Sequence, residues 1–263
     1  MAELRTEDAV LHVELEGDGD PVSVFAHGLT SSCLELAQLT PFVPGTKVRF
    51  CFRGHGHSSS PESGYRFGDF ARDVLAVAET YGADVALGTS LGAGAISHLV
   101  AYHDPNRFRK LIFLLPAGLD RPLRYKERLL RMAALVDGKS REDAVEALLS
   151  DPTRLVNYAE MPWLREFDQR LLRALNPVGV PRAIREIVDD WPLRDREDMR
   201  RVTAPTLLIC REGDEIHPAI VGRILADIMP NAELMLFRDA ASMYEAIPSI
   251  VTRVSEFLRS DFS

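Results

Sequence analysis

A serine held between two glycines, Gly88-Thr89-Ser90-Leu91-Gly92, is the strongest chemical signal in the chain. The apolar run Ala83-Asp84-Val85-Ala86-Leu87 precedes it and the small-residue stretch Ala93-Gly94-Ala95-Ile96-Ser97 follows, so the order is strand, sharp turn, helix. G-x-S-x-G in that setting is a nucleophile elbow. The glycines remove side chains that would collide where the backbone reverses, and the turn lifts the Ser90 hydroxyl above the sheet. The next helix aims its first N–H groups, including that of Leu91, at an oxyanion forming beside Ser90. The chemistry so described is attack by a hydroxyl on a carbonyl carbon, and it needs a base to take the proton.

The surrounding pattern supplies a frame for that turn. Val10-Leu11-His12-Val13-Glu14-Leu15 and Val22-Ser23-Val24-Phe25-Ala26 read as strands joined by a Gly/Asp-rich turn, and Lys47-Val48-Arg49-Phe50-Cys51-Phe52 reads as a third. Phe70, Val74, Val77 and Ala78 recur at helical spacing between Phe67 and Tyr81. Lys110-Leu111-Ile112-Phe113-Leu114-Leu115 is nearly continuous in apolar character, as suits a strand covered on both faces. From about Gly118 to Val202 strand signals vanish, and helical stretches are broken at Gly138, Pro152, Pro162, Pro177 and Pro181. Alternation returns with the strand Thr206-Leu207-Leu208-Ile209-Cys210, a helix from Pro218 to Met229, the strand Glu233-Leu234-Met235-Leu236-Phe237 and an amphipathic helix from Ser249 to Arg259. Strands alternating with helices predict a mostly parallel sheet flanked by helices.

Composition narrows the function classes. The 263 residues are 46% hydrophobic and 27% charged, which fits one globular α/β domain with an insertion. Net charge is −8 with no basic run, so nucleic acid is not an expected partner. Residues 1–8 are acidic and lack an apolar stretch, and no window holds 18 consecutive apolar residues. The expectation is a cytoplasmic protein with no membrane association. Cys33, Cys51 and Cys210 are odd in number and widely spaced, and read as buried reduced thiols. Metal-ligand spacing, a Walker loop and a Rossmann fingerprint are all missing, so neither metal nor cofactor is implied.

Five segments in order resemble the α/β-hydrolase fold superfamily over nearly the whole chain. They are His27-Gly28-Leu29 after a strand, Arg53-Gly54-His55-Gly56-His57-Ser58, the elbow, Ala204-Pro205-Thr206-Leu207-Leu208-Ile209, and Glu212-Gly213-Asp214-Glu215-Ile216-His217-Pro218. The resemblance implies a core of residues 1–117 and 203–263, with an all-helical cap of residues 118–202 inserted between the sixth and seventh strands. It implies a serine hydrolase of the ester or C–C bond cleaving type, with Ser90 as nucleophile, Leu29 and Leu91 donating their N–H groups to the oxyanion, and Asp214 as the acid. His27, His55 and His57 read as loop-ordering residues. A homodimer is left open by the resemblance.

One expected residue is missing. The family's base follows the last strand, and the corresponding slot falls on Ala240, Ala241 or Ser242, depending on the register. No histidine occurs after His217. Four explanations stand: a deliberately replaced histidine, another base, a lyase or cyclase reaction that needs no serine–histidine relay, and a ligand-binding protein that has lost its chemistry. His217, three residues beyond Asp214, is the first candidate for another base, although a place at the start of a helix is its simpler reading. In the insert, Leu129, Leu130, Leu135, Val136, Trp163, Leu164, Phe167, Ile184, Ile187 and Trp191 mostly pack the cap, with a few facing an apolar cleft for a small or medium substrate. Arg121, Arg124 and Arg128 read as solvated helix charges, with carboxylate recognition as the sharper alternative.

Overall fold

The computed structural model describes residues 1–37, 39–122 and 125–260. Eight strands form one sheet: β1 (Ala2–Arg5), β2 (Val10–Glu16), β3 (Val22–Ala26), β4 (Thr46–Phe50), β5 (Val85–Thr89), β6 (Lys110–Leu114), β7 (Thr206–Arg211) and β8 (Ala232–Phe237). Their spatial order is β1-β2-β4-β3-β5-β6-β7-β8. β1–β2 and β2–β4 pair antiparallel, and every other neighbour is parallel. The chain steps from β3 out to β4, then crosses back to place β5 on the other side of β3. The crevice beyond the carboxyl ends of β3 and β5 is therefore a topological switch point, where open α/β sheets place their ligands.

Period-two side-chain alternation builds two cores from one sheet. Val24, Ala26, Ala86, Leu111, Phe113 and Leu208 face a layer that includes α1 (Phe67–Tyr81) and α2 (Leu91–Tyr102). Phe25, Val85, Leu87, Ile112, Leu207 and Ile209 face the opposite layer, where the C-terminal helix contributes Ile250, Val254, Phe257 and Leu258. Burial on both faces explains the continuous apolar runs at β5, β6 and β7.

Among the described residues between β6 and β7 lie five α-helices, α3 (Lys126–Val136), α4 (Arg141–Leu149), α5 (Pro152–Glu160), α6 (Trp163–Leu172) and α7 (Gly179–Ile187), followed by a 3-10 helix over Arg196–Arg201. The five α-helices share an apolar cluster of their own, with Leu129, Val136, Leu148, Leu164 and Ile184 among its members. Gly138 adopts φ +70 between α3 and α4, Pro152 opens α5 and Pro162 caps α6. Pro181 breaks nothing. It lies in the first turn of α7, where its absent N–H would have had no intrahelical acceptor. After β7 come α8 (Ala219–Ile228), α9 (Ala240–Glu245) and α10 (Ile247–Arg259).

Strand β1 and helix α9 escape the sequence pattern. β1 is short and mostly exposed, so it carries no alternation to read. The six residues of α9 include none that is buried, and the helix owes its start to a reciprocal cap between Asp239 and Ser242. Among the described residues, no helix is long and apolar enough to cross a membrane. Cys33, Cys51 and Cys210 are buried free thiols.

Candidate active site

Ser90 sits at the end of β5 with φ 51 and ψ −106, a left-handed conformation that a non-glycine residue holds only under constraint. The constraint is close packing. A Cβ on Gly92 would lie 2.1 Å from the Ala26 carbonyl oxygen of β3, and one on Gly88 would lie 2.6 Å from the Ala93 nitrogen. Both glycines are thus required for α2 to rest against the sheet. Gly92→Ala is expected to cost about 1–3 kcal/mol through overpacking and to lower activity by moving Ser90, as a urea midpoint and an ester assay would register.

The Ser90 hydroxyl meets an imidazole. His217 Nε2 lies 3.1 Å from Ser90 Oγ, and His217 Nδ1 lies 3.1 Å from Asp214 Oδ2. This corrects the expectation of a serine with no histidine beside it. The physical reason is the turn between β7 and α8. Asp214 Oδ1 accepts the backbone N–H groups of Ile216 and His217, each at 3.0 Å. That Asx-type turn folds the chain back so that the His217 ring lies over its own acid. His217 does precede a helix, as its simpler reading held, with Pro218 as the N-cap of α8.

An ionised carboxylate only accepts, so the proton of a neutral His217 belongs on Nδ1 and leaves Nε2 free to accept from Ser90. Asp214 is well satisfied. Besides the turn amides and His217, its Oδ2 accepts from Arg211 Nε at 2.9 Å and Nη2 at 2.6 Å. Burial works against its charge, but the hydrogen bond from His217 and the Arg211 guanidinium hold its carboxyl well below the usual carboxylate range. Arg211 had no signal in the sequence beyond standing three residues before the acid.

The slot at Ala240, Ala241 and Ser242 forms the first turn of α9. Ser242 Oγ accepts from the Asp239 N–H at 3.0 Å, and Ser242 N–H donates to Asp239 Oδ1 at 2.8 Å, so this serine is engaged in the cap. Ala240 lines the cavity in front of Ser90.

Leu91 is the first residue of α2, and its N–H is among those a helix leaves without an intrahelical acceptor. Leu29 follows Gly28 in the loop after β3, and among the described residues its N–H has no hydrogen-bond partner. Both residues line the cavity with Ser90. His27 orders this loop: Nδ1 donates to the Gly28 carbonyl at 2.7 Å while Nε2 accepts the Phe52 N–H at 3.0 Å. His55 Nδ1 is 2.8 Å from the Arg53 carbonyl, also a loop contact. Burial pushes the His55 imidazole down to about 4.

The cavity holds about 900 Å³ between the strand ends and the insert. Of the insert's apolar residues singled out from the sequence, Leu129, Leu164, Phe167 and Ile187 reach it, and Met132, Met161 and Tyr125 are among the others that do. Val136 and Ile184 lie inside the insert's own core, and Leu130, Trp163 and Trp191 are exposed. Arg128 lines the cavity, with Thr153 Oγ1 as a long 3.4 Å partner. Arg121 is exposed, and Arg124 lies outside the described residues.

A family model described as the alpha/beta hydrolase family matches residues 24–246. The chain belongs to the alpha/beta hydrolase family. Over 272 aligned residues this alpha/beta hydrolase is 26% identical to the AB hydrolase superfamily protein YisY of Bacillus subtilis (strain 168), covering 98% of each. A hydrolase from Pseudomonas aeruginosa PA01 superposes with a TM-score of 0.77 at 24% identity, covering 98% of both chains. The enol-lactonase from Burkholderia xenovorans LB400 gives a TM-score of 0.77 at 19% identity, covering 98% of this alpha/beta hydrolase and 100% of that chain. The structural likenesses, at those identities, speak for the fold.

Proposed function

We propose that the protein is a cofactor-independent serine hydrolase for a small or medium apolar ester or related carbonyl substrate. The continuous contact Ser90–His217–Asp214 carries this reading. Ser90 Oγ attacks the carbonyl carbon, its proton passes to His217 Nε2, and Asp214 stabilises the imidazolium through Nδ1. The carbonyl π pair moves to the oxygen, where the Leu29 and Leu91 N–H groups receive it. His217 then protonates the leaving group and later activates the water that releases the acid product. Tyr125, Leu129, Leu164 and Phe167 give the cavity its apolar wall, which suits an apolar acyl or alcohol part. The same contact favours hydrolysis over binding without chemistry, because a pure binding pocket gains nothing from an imidazole aligned on a strained serine.

The test is p-nitrophenyl butyrate turnover beside intact-mass analysis. The unaltered protein is expected to turn over repeatedly and to show an acyl adduct under rapid quench. Ser90→Ala is expected to lose both while retaining its fold. Turnover unchanged in Ser90→Ala would sink the reading.

A further inference from the structure

Glu35 stands in the active-site cavity without any role in the relay. It lies in the loop after β3 and lines the cavity with Ser90, Leu29 and His217. Oε2 accepts the Gly28 N–H at 2.6 Å. Among the described residues, Oε1 has no hydrogen-bond partner. Proximity to the reacting centre follows from Gly28: a Cβ placed there would lie 3.3 Å from both Glu35 carboxyl oxygens and 3.5 Å from Ser90 Cβ. Carboxyl and nucleophile therefore flank the same side of Gly28, whose next residue offers the Leu29 N–H.

An ionised carboxylate in that place would oppose the negative charge that forms on the substrate oxygen. A neutral carboxyl does the reverse. With Oε2 held as acceptor by Gly28, the proton belongs on Oε1, the oxygen with no partner among the described residues. Resting on the hydrolase reading above, we propose that Glu35 is a further catalytic residue, whose protonated carboxyl donates a third hydrogen bond, beside those of Leu29 and Leu91, to the oxyanion. No proton is transferred in this contact: the Ser90 proton still goes to His217, and the Glu35 O–H bond stays intact through addition and collapse.

The surroundings fit a neutral acid. His217, Asp214 and Arg211 from the β7–α8 side, Tyr125 and Arg128 at the start of α3, and Tyr244 of α9 share the cavity. None of them forms a hydrogen bond or ion pair with Glu35. Burial, only partly offset by the Gly28 N–H, pushes its carboxyl up to about 7. A raised carboxyl favours the protonated form, so the donor is in place at low pH and is lost as pH rises through that value.

The experiment is the kcat/KM profile for p-nitrophenyl butyrate from pH 5 to 9, with the rate of Ser90 phosphonylation by a fluorophosphonate read by mass on the same samples. The unaltered protein is expected to lose activity above neutrality, by roughly 100-fold at pH 9, where two units above the midpoint only about 1% of the acid remains protonated. Glu35→Gln keeps an acceptor for Gly28 and a donor that does not ionise, so its alkaline fall disappears. Glu35→Ala is expected to be about 10²–10³-fold slower at pH 6, the usual loss for one oxyanion donor. An alkaline fall that persists in Glu35→Gln, or an unaltered protein that has none, overturns the proposal. If Glu35→Ala fails to fold, the Glu35→Gln profile alone decides. An unaltered protein that neither turns over nor phosphonylates at Ser90 overturns the hydrolase reading, and with it the role of Glu35. Reaction at Ser90 with an unchanged Glu35→Gln profile overturns only the latter.

Discussion

Replacing His217 by alanine is expected to lower kcat for ester hydrolysis by roughly a million-fold, or about 8 kcal/mol of transition-state stabilisation. The magnitude follows from two duties of one imidazole. In the proposed relay His217 takes the Ser90 proton in acylation and activates water in deacylation, with Ser90 Oγ at 3.1 Å and Asp214 Oδ2 at 3.1 Å on either side. Strained backbone at Ser90 and the N–H groups of Leu29 and Leu91 survive the substitution. An activated ester should therefore still acylate Ser90 slowly, and the acyl-enzyme should accumulate because its release also needs the base. Stopped-flow release of p-nitrophenolate with mass detection of the adduct separates the two steps. A histidine placed at Ala240 in the otherwise unchanged protein is expected to bring no gain in kcat, since His217 already occupies both Ser90 and Asp214. If His217→Ala keeps kcat within about tenfold of the parent, roughly 1.4 kcal/mol, the relay runs through another group.

Removing the carboxylate of Asp73 is expected to be the most damaging single change to stability, at about 3–5 kcal/mol, because it leaves the buried Arg53 with only the half-exposed Asp8 as a counter-charge. Asp73 and Arg53 are 0% and 1% exposed. Arg53 Nη2 donates to Asp73 Oδ1 at 2.7 Å, and Arg53 Nε reaches both carboxylate oxygens at 3.0 and 3.1 Å. On its other side Arg53 donates to both oxygens of Asp8, each at 3.0 Å. Burial alone would favour a neutral Arg53, but Asp73 and Asp8 hold its proton more firmly than usual. Thermal melts of Asp73→Ala should fall by roughly 6–20 °C, taking about 2–4 °C per kcal/mol for a chain of this order of length. The paired change Arg53→Met with Asp73→Leu is expected to be milder than Asp73→Ala alone, since it leaves no buried charge, and the Asp8 carboxylate it releases is half-exposed to water. Asp8→Ala should cost less, because its side chain is 45% exposed and water replaces the lost contact. A double variant as unstable as Asp73→Ala would show that the damage comes from shape rather than from charge.

What could be read from the residues was whatever is decided locally. The elbow was legible because Gly88 and Gly92 answer to contacts a few residues away and to the strand beside them. β5, β6 and β7 were legible because burial on both faces makes their sequences apolar throughout. His217 was harder. Its partnership with Ser90 spans 127 positions in the chain and depends on an Asx turn whose outcome is not written in spacing alone. A signal did exist: an aspartate able to accept two following N–H groups, with a histidine third in line and a proline next. Glu35 gave no such signal, since one glutamate in a loop ordinarily reads as a solvated charge, and only packing against Gly28 makes it part of the cavity. β1 leaves no such pattern, because an exposed edge of four residues buries too little.

In the relay proposed above, acid and base share a single turn, Asp214 and His217 standing three residues apart. The chain beyond Pro218 is thereby released from proton transfer. Asp239, Ala240 and Tyr244 still face the cavity, on a segment that holds no part of the relay. Mutation there can reshape what the pocket accepts while the proton path stays intact. Catalysis and selectivity thus become separately heritable traits, and the segment around α9 is the place where new substrates can be tried at little risk to the chemistry.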